Sequence, residues 1–242
     1  MKFLLPREHG AWAMWLAPFI IGILTTQMKW AHLLLFISIF FAYISISAFL
    51  QGIRRPSDRR NAWRYAGAYF VIAVLPGLPL LYLYPMLIYI PIGISPIFAA
   101  SLYFVKQKKE RALLNDLLAI LALNTSFFTS SYLGYGRFDR MGQETLILYL
   151  WQILFFFGSV LFVKSLIREK HNPNFKKAAK IYMVFLPVIG LIYSGVFTMA
   201  AYLFSTVRLL SAPANKVITS KTIGIIEIIN TIWFSIFISN IF

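Results

Sequence analysis

The chain has 242 residues, of which 60% are hydrophobic and 17% aromatic, while only 13% are charged. A soluble domain of this size cannot bury so much apolar surface, so the composition excludes that class and indicates a protein embedded in a bilayer. The lack of cysteine excludes disulfides and thiolate chemistry. The formal net charge of +15 does not indicate nucleic acid, because the basic residues lie in short segments between apolar runs.

The chain opens on a polar cluster at the mouth of its first apolar run, within Pro6–Trp15, PREHGAWAMW. Arg7, Glu8 and His9 are costly there unless they lie in the headgroup layer or in a polar cavity. Gly10 has no side chain, which lets a ligand or another backbone approach closely. Two interpretations are open: an ordinary interfacial flank, or a ligand site that includes Arg7 and His9.

Nine apolar runs follow in chain order, and each is long enough to be a membrane span of about 20 residues or a short one. They lie at 11–27, 30–50, 63–83, 86–105, 115–134, 145–163, 178–193, 195–210 and 222–242. The region 178–210 is too long for one span, so we divide it near Tyr193-Ser194-Gly195. The predicted fold is all-α, a polytopic transmembrane helical bundle of about nine spans that forms one integral membrane domain over 1–242.

The basic residues test this division through the positive-inside rule. With nine spans, 20 of the 23 lysines and arginines fall on one face, and Lys29, Arg137 and Arg140 fall on the other. A single span over 178–210 would move three of the 20 to the opposite face. The asymmetry therefore favours nine spans, with the N-terminus inside and the C-terminus outside.

Two predicted inside loops are long and polar. The first, QGIRRPSDRRN at 51–61, contains Arg55, Asp58 and Arg59. The second, LIREKHNPNF at 166–175, contributes a further set, Arg168, His171 and Asn172. Arginine offers a planar fork of donors that suits carboxylate and phosphate oxygens. The loops therefore either cradle an anionic ligand or simply fix the topology and touch anionic headgroups.

Acidic residues occur in two of the predicted spans. Asp116 opens the fifth span, where it either caps the helix, pairs with a basic neighbour or contacts a ligand. Glu227 lies in the ninth span, and an intramembrane carboxylate indicates either a functional site or a buried partner of another helix. A polar stripe in the fifth span, from Asn124 to Ser131, either bonds to adjacent helices or lines a cavity. The three histidines form no metal motif, and we predict no metal or cofactor.

Three segments resemble the YwiC-like family of bacterial membrane proteins. They are PREHGAWAMWLAPFIIG at the start of the chain, LLNDLLAILAL at 113–123 and IREKHNPNF at 167–175. Together they extend the resemblance over nearly the whole chain. It implies a location in the bacterial cytoplasmic (inner) membrane.

The order of spans and loops also resembles, more distantly, the UbiA superfamily of membrane prenyltransferases. That resemblance implies nine helices around a central cavity, with functional loops after the second and sixth helices. UbiA enzymes carry aspartate-rich motifs in both loops to hold magnesium, whereas the loops here offer only Asp58 and Glu169. Two acids cannot supply the carboxylates that two adjacent magnesium ions normally require.

These observations lead to three functional hypotheses. The first is a UbiA-like membrane protein that binds an isoprenoid or another anionic amphipathic ligand on its cytoplasmic side, including a divergent prenyltransferase. Its predicted site residues are Arg7, His9, Arg55, Asp58, Arg59, Asp116, Arg168, His171, Asn172 and Glu227. The second is a transporter or accessory protein for small anions or lipids, with Glu227 and the polar fifth helix along its path. The third is a structural membrane partner.

Overall fold

The structure, a computed structural model, describes residues 9–211 and 219–241. Within these ranges it contains nine α-helices, one for each predicted span. They are α1 (His9–Leu24), α2 (Ala31–Arg54), α3 (Arg59–Leu83), α4 (Tyr89–Lys106), α5 (Leu113–Tyr135), α6 (Gln143–Ile167), α7 (Pro173–Ser194), α8 (Val196–Leu210) and α9 (Ser220–Ile238). The all-α prediction is confirmed.

Six of these helical segments have the length and composition of a membrane span. They are Ala31–Arg54, Pro56–Leu83, Pro85–Lys106, Leu113–Tyr135, Gln143–Ile167 and Lys221–Ile238, and two shorter segments, Gly10–Leu24 and Val196–Leu210, are also apolar. Helix α7 is not among these segments, and its first two turns carry Lys176, Lys177 and Lys180. The molecule is a helical membrane protein.

The division of 178–210 into two helices is confirmed. Helix α7 ends at Ser194, and α8 begins at Val196. Gly195 joins them with φ +83° and ψ −170°. This backbone conformation is essentially restricted to glycine, so a single residue is enough to reverse the chain.

Consecutive helices run in opposite directions. In the α8–α9 pair, for example, Arg208 contacts Glu227, whereas Ser205, about one turn earlier on α8, contacts Asn230, about one turn later on α9. The start of α1 and the turns α2–α3, α4–α5 and α6–α7 therefore lie together at one end of the bundle. We call it the basic end, because those turns carry the basic loops predicted from the sequence.

The helices form two groups. Helices α2, α3 and α4 pack together, while α1, α5, α6, α7, α8 and α9 make a closed ring in which each helix contacts the next. The ring encloses the largest apolar core, where Phe155 and Phe234 stack with their ring centroids 3.8 Å apart. Helix α1 closes this ring by packing between α5 and α9, both of which are distant from it in sequence.

Helices α1 and α5 approach closely because the side chains between them are small or carry a hydroxyl. The hydroxyl of Ser126 donates to the carbonyl oxygen of Trp15 at 2.6 Å, and that of Ser130 donates to Phe19 at 2.7 Å. Such contacts join membrane helices where lipid supplies no hydrophobic driving force. Part of the polar stripe predicted in the fifth span therefore bonds α5 to α1.

Candidate functional site in a four-helix cavity

A cavity of about 350 Å³ lies between α1, α5, α6 and α9, towards the basic end. Most of its wall is apolar. Its lining residues are Gly10, Ala11, Ala13, Met14, Asp116, Ala119, Leu123, Phe156, Ser159, Val160, Val163, Lys164, Ile167, Arg168, Glu227 and Thr231. Small residues at the start of α1 leave this space open, and among the described residues nothing lies within 4 Å of where a Cβ on Gly10 would stand.

An ion pair stands at the mouth of the cavity. The Lys164 ammonium, on the last turns of α6, contacts the Asp116 carboxylate on the first turn of α5. Lys164 also donates to the carbonyl oxygen of Arg111 at 2.9 Å, which ties the α4–α5 turn to α6. The Lys164 side chain is only 10% exposed, so this paired charge is part of the wall rather than a free surface group.

A second ion pair lies deeper, between α8 and α9. The Arg208 guanidinium donates to the Glu227 carboxylate, and its other terminal nitrogen donates to the Ser159 hydroxyl at 3.1 Å. The guanidinium also lies over the Phe162 ring, 4.2 Å from the centroid. Glu227 and Ser159 line the cavity, so Arg208, which is 5% exposed, stands immediately behind them.

Arg168 completes the charged lining. It follows the last residue of α6, where the helix dipole favours a cation, and its side chain is exposed at the cavity mouth. It lies close enough to the Asp116 carboxylate to interact with it electrostatically. Among the described residues, the mouth therefore holds two cations and one anion, above a body of alanine, valine, leucine, methionine and phenylalanine side chains.

Three of the predicted site residues, Asp116, Arg168 and Glu227, line this cavity together. The others do not. Arg55, Asp58 and Arg59 are exposed in the α2–α3 turn, where the Arg59 guanidinium lies 5.5 Å from the centroid of the Trp63 ring. Their predicted role in ligand binding remains a prediction, at a position away from the cavity.

The second polar loop reaches the cavity only through Arg168. His171 and Asn172 are exposed beyond it, and Asn172 caps α7 by accepting a hydrogen bond from the backbone N–H of Phe175 at 3.0 Å. Its amide also donates to Glu169 at 2.9 Å. His9 begins α1, but its side chain, like the whole of Arg7, lies outside the described residues.

Sequence reasoning missed Lys164, Ser159 and Arg208. Lys164 stands four residues before Arg168, and this spacing places both on one face of α6, which was a usable signal. Arg208 lies at the edge of the apolar run 195–210, where a basic residue is typical of an ordinary interfacial flank. Nothing in the sequence indicated that Ser159 would meet it.

A second, smaller cavity of about 40 Å³ lies at the opposite end of the same four helices. Its lining residues are Thr25, Tyr135, Glu144, Leu148, Ile238 and Ser239. Within the described residues, no group of three histidine, aspartate or glutamate side chains is placed to hold a metal ion.

These features define a helical membrane protein with a charged, mainly apolar cavity between four of its helices. The chain belongs to the YwiC-like family: the family model described as YwiC-like protein matches residues 5–131. A relative from Bacillus subtilis (strain 168), uncharacterized protein YwiC, is 31% identical over 97% of this chain and 96% of its own length. An uncharacterized protein of Haemophilus influenzae is 30% identical over 94% of this chain and 93% of its own length.

No solved structure matches this chain. The resemblance to the YwiC-like family is confirmed, whereas the more distant resemblance to the UbiA superfamily stays a prediction. The two relatives span nearly the whole chain. The alignments therefore extend to α6 and α9, whereas the family match covers α1 and most of α5 but neither of those two helices.

Proposed function

We propose that this protein binds an anionic amphipathic molecule, such as an isoprenoid or a lipid with an acidic headgroup, in the four-helix cavity. The observation that carries the proposal is the division of the cavity wall, with the exposed Arg168 beside the Lys164–Asp116 pair at the mouth and apolar side chains below. Arginine binds acidic headgroups, while the apolar body accepts hydrocarbon. In this proposal the basic end faces the cytoplasm, the N-terminus is inside, and the membrane is the bacterial inner membrane.

Ligand binding is better supported than prenyl transfer. A pair of magnesium ions would need several free carboxylate oxygens. The two acids in the described lining of the cavity, Asp116 and Glu227, are each already in contact with a basic side chain. Asp58, the acid of the first polar loop, lies outside the cavity lining.

The binding proposal is tested by filling the cavity without disturbing the helices around it. In Gly10→Phe the added ring would enter the cavity from the start of α1. Gly67→Phe on α3 is the matched control, because its position is also open and lies at an exposed site away from the cavity. Lipids retained by each purified protein would be identified by mass spectrometry.

We expect the wild type and Gly67→Phe to retain the same acidic amphiphile and Gly10→Phe to lose most of it. Equal retention by all three proteins would contradict the proposal. So would a set of retained lipids that merely mirrors the membrane composition, which is the result that a purely structural partner would give.

A transporter is the second hypothesis, and one observation favours it. Both cavities are lined by the same four helices, and α9 carries polar residues at every fourth position between them: Glu227, Thr231, Ser235 and Ser239. Each of the three hydroxyls donates to the carbonyl four residues earlier at 2.8 Å. Hydroxyls in that pattern also occur in helices with no transport role, because back-bonding satisfies them locally.

Cysteine substitution distinguishes the two hypotheses, since the natural chain has no cysteine. If a water-filled path joins the two cavities, Ser235→Cys, which lies midway between them, should react with a small water-soluble thiol reagent. Ile236→Cys, on an exposed apolar position of the same helix, is the control and should not react. An unreactive Ser235→Cys would remove the observation that favours transport.

A further inference from the structure

We infer that the ligand of the four-helix cavity carries a single negative charge, as a phosphodiester or a carboxylate does, and that Arg168 is the residue that balances it. This inference rests on the proposed function and narrows it to a class of headgroup. It follows from how the charges around the cavity are paired.

Four of the five described charged side chains at the cavity wall or directly behind it form pairs. Asp116 contacts Lys164 at the mouth, and Glu227 contacts Arg208 at depth. Each pair is largely withdrawn from water. Separating such a pair leaves an uncompensated charge in a poorly solvated place, which costs more than the pair contributes. Each pair therefore acts towards a ligand as a neutral unit.

Arg168 is the fifth charge, and it gives these described side chains a net charge of +1. Its side chain is exposed at the cavity mouth, so it can turn towards a headgroup without breaking a buried contact. A guanidinium can donate two parallel hydrogen bonds to a phosphodiester or a carboxylate. One such headgroup would balance the net charge of these described side chains.

A diphosphate would exceed the net positive charge of these described side chains. A terminal phosphate alone carries about 1.5 to 2 negative charges at pH 7. The excess charge would lie near the Asp116 and Glu227 carboxylates in a site whose walls are mainly apolar, where like charges repel strongly. A headgroup without net charge would instead leave Arg168 to share the Asp116 carboxylate with Lys164.

The volume of the cavity agrees with a headgroup and only part of a chain. At about 350 Å³ it lies at the small end of the range for small-molecule sites, about 300–1,000 Å³. A complete two-chain lipid would extend beyond the cavity. The apolar residues Met14, Leu123 and Phe156 would contact the part of the chain next to the headgroup.

The experiment compares four probes on the purified full-length protein: phosphatidylglycerol, oleate, phosphatidylcholine and farnesyl diphosphate. The first two carry one negative charge on a phosphodiester and a carboxylate, respectively. We expect one of these two to bind at least about tenfold more tightly than either of the others, a difference of about 1.4 kcal/mol. Which of the two binds more tightly identifies the headgroup.

Two variants test the role of Arg168 without threatening the fold, because the side chain is exposed. Arg168→Gln should lose the preference for the singly charged probe over phosphatidylcholine, and Arg168→Glu should bind the singly charged probe most weakly of all. Lys177→Gln, at an exposed position on α7, is the matched control and should keep the wild-type order.

Asp116→Asn tests the charge count from the opposite direction. It adds one net positive charge, while the amide oxygen can still accept from Lys164, which also keeps its bond to the Arg111 carbonyl. We expect the affinity for farnesyl diphosphate to rise relative to that for the singly charged probe.

The possible outcomes distinguish a failure of this inference from a failure of the proposed function. If the wild type binds farnesyl diphosphate more tightly than both singly charged probes, or if Arg168→Gln keeps the wild-type order, the inference is overturned and the binding function stands. If the wild type binds none of the anionic probes, the proposed function itself fails.

Discussion

Gly22 on α1 lies directly against Ser130 on α5. A Cβ built on Gly22 would overlap the Ser130 hydroxyl and come within 2.9 Å of the Phe127 carbonyl oxygen. The hydroxyl cannot move away cheaply, because it donates to the Phe19 carbonyl on α1. This close contact fixes two of the four walls of the cavity.

Gly22→Ala should therefore destabilise the protein. Overpacking of this kind costs about 1–3 kcal/mol, and thermal unfolding in detergent would show a lower Tm. Gly67→Ala on α3 is the control, since nothing lies within 4 Å of its added Cβ. Alanine is the better helix former, so the control should be neutral or slightly stabilising. An unchanged Tm in Gly22→Ala would contradict the packing described for α1 and α5.

Removing one partner of the Arg208–Glu227 pair should destabilise the protein more than removing both. Glu227→Leu leaves an arginine that stays charged and is 5% exposed, and breaking a buried pair in this way typically costs about 3–5 kcal/mol. Adding Arg208→Met removes the orphan charge. We therefore expect the double variant to recover much of the lost Tm. A double variant no more stable than Glu227→Leu would show that the pair does not behave as a buried ion pair.

The orientation of the bundle can be read from single cysteines, because the natural chain has none. Arg140→Cys lies in the α5–α6 turn and Gln107→Cys in the α4–α5 turn, and both positions are exposed. If the basic end faces the cytoplasm, a membrane-impermeant maleimide should label Arg140→Cys in intact cells or spheroplasts. Gln107→Cys should be labelled only after permeabilisation. The reverse pattern would overturn the proposed orientation.

The helices were predictable because each is a local apolar run. A stretch of about 20 apolar residues has few alternatives to a membrane helix. Even the division of 178–210 followed from its length and from the glycine at 195. The main differences are at helix ends, where capping decides: α9 begins at Ser220, two residues earlier than predicted, because the Thr219 side chain accepts a hydrogen bond from Thr222 at 3.2 Å.

The candidate site was predictable only in part, because its contacts join helices that are far apart in sequence. Asp116 and Glu227 stood out as acids within apolar runs. Lys164, at the end of α6, has the sequence context of an ordinary interfacial lysine. Only the packing of α5 against α6 shows that it contacts Asp116 at the cavity mouth.

In the first polar loop, by contrast, a conspicuous sequence pattern does not coincide with the cavity. Its arginines are dense enough to resemble an anion cradle, yet Arg55 and Arg59 lie outside the cavity. They follow α2, which packs with α3 and α4 rather than within the ring of helices. The choice of helices that form the ring depends on how side chains fit together across the bundle. Amino-acid composition does not specify that fit.

A single residue, Gly195, joins α7 to α8. Gly195 has φ +83° and ψ −170°, a region that side chains with a Cβ scarcely enter, at a cost of about 1–3 kcal/mol. Gly136, after α5, also has positive φ but lies in the left-handed helical region at φ +73° and ψ −8°. Asparagine adopts that region readily.

The two glycines therefore make a matched pair. Gly195→Asn should lower the Tm clearly, and Gly136→Asn should lower it much less, although both replace a positive-φ glycine with the same residue. The effect at 195 should extend to the cavity, because α8 carries Arg208 behind Glu227 and a displaced α8 would weaken that contact. Ligand retention measured beside Tm should fall in Gly195→Asn and persist in Gly136→Asn. Equal losses of Tm would show that the sharp reversal between α7 and α8 does not depend on the backbone of glycine.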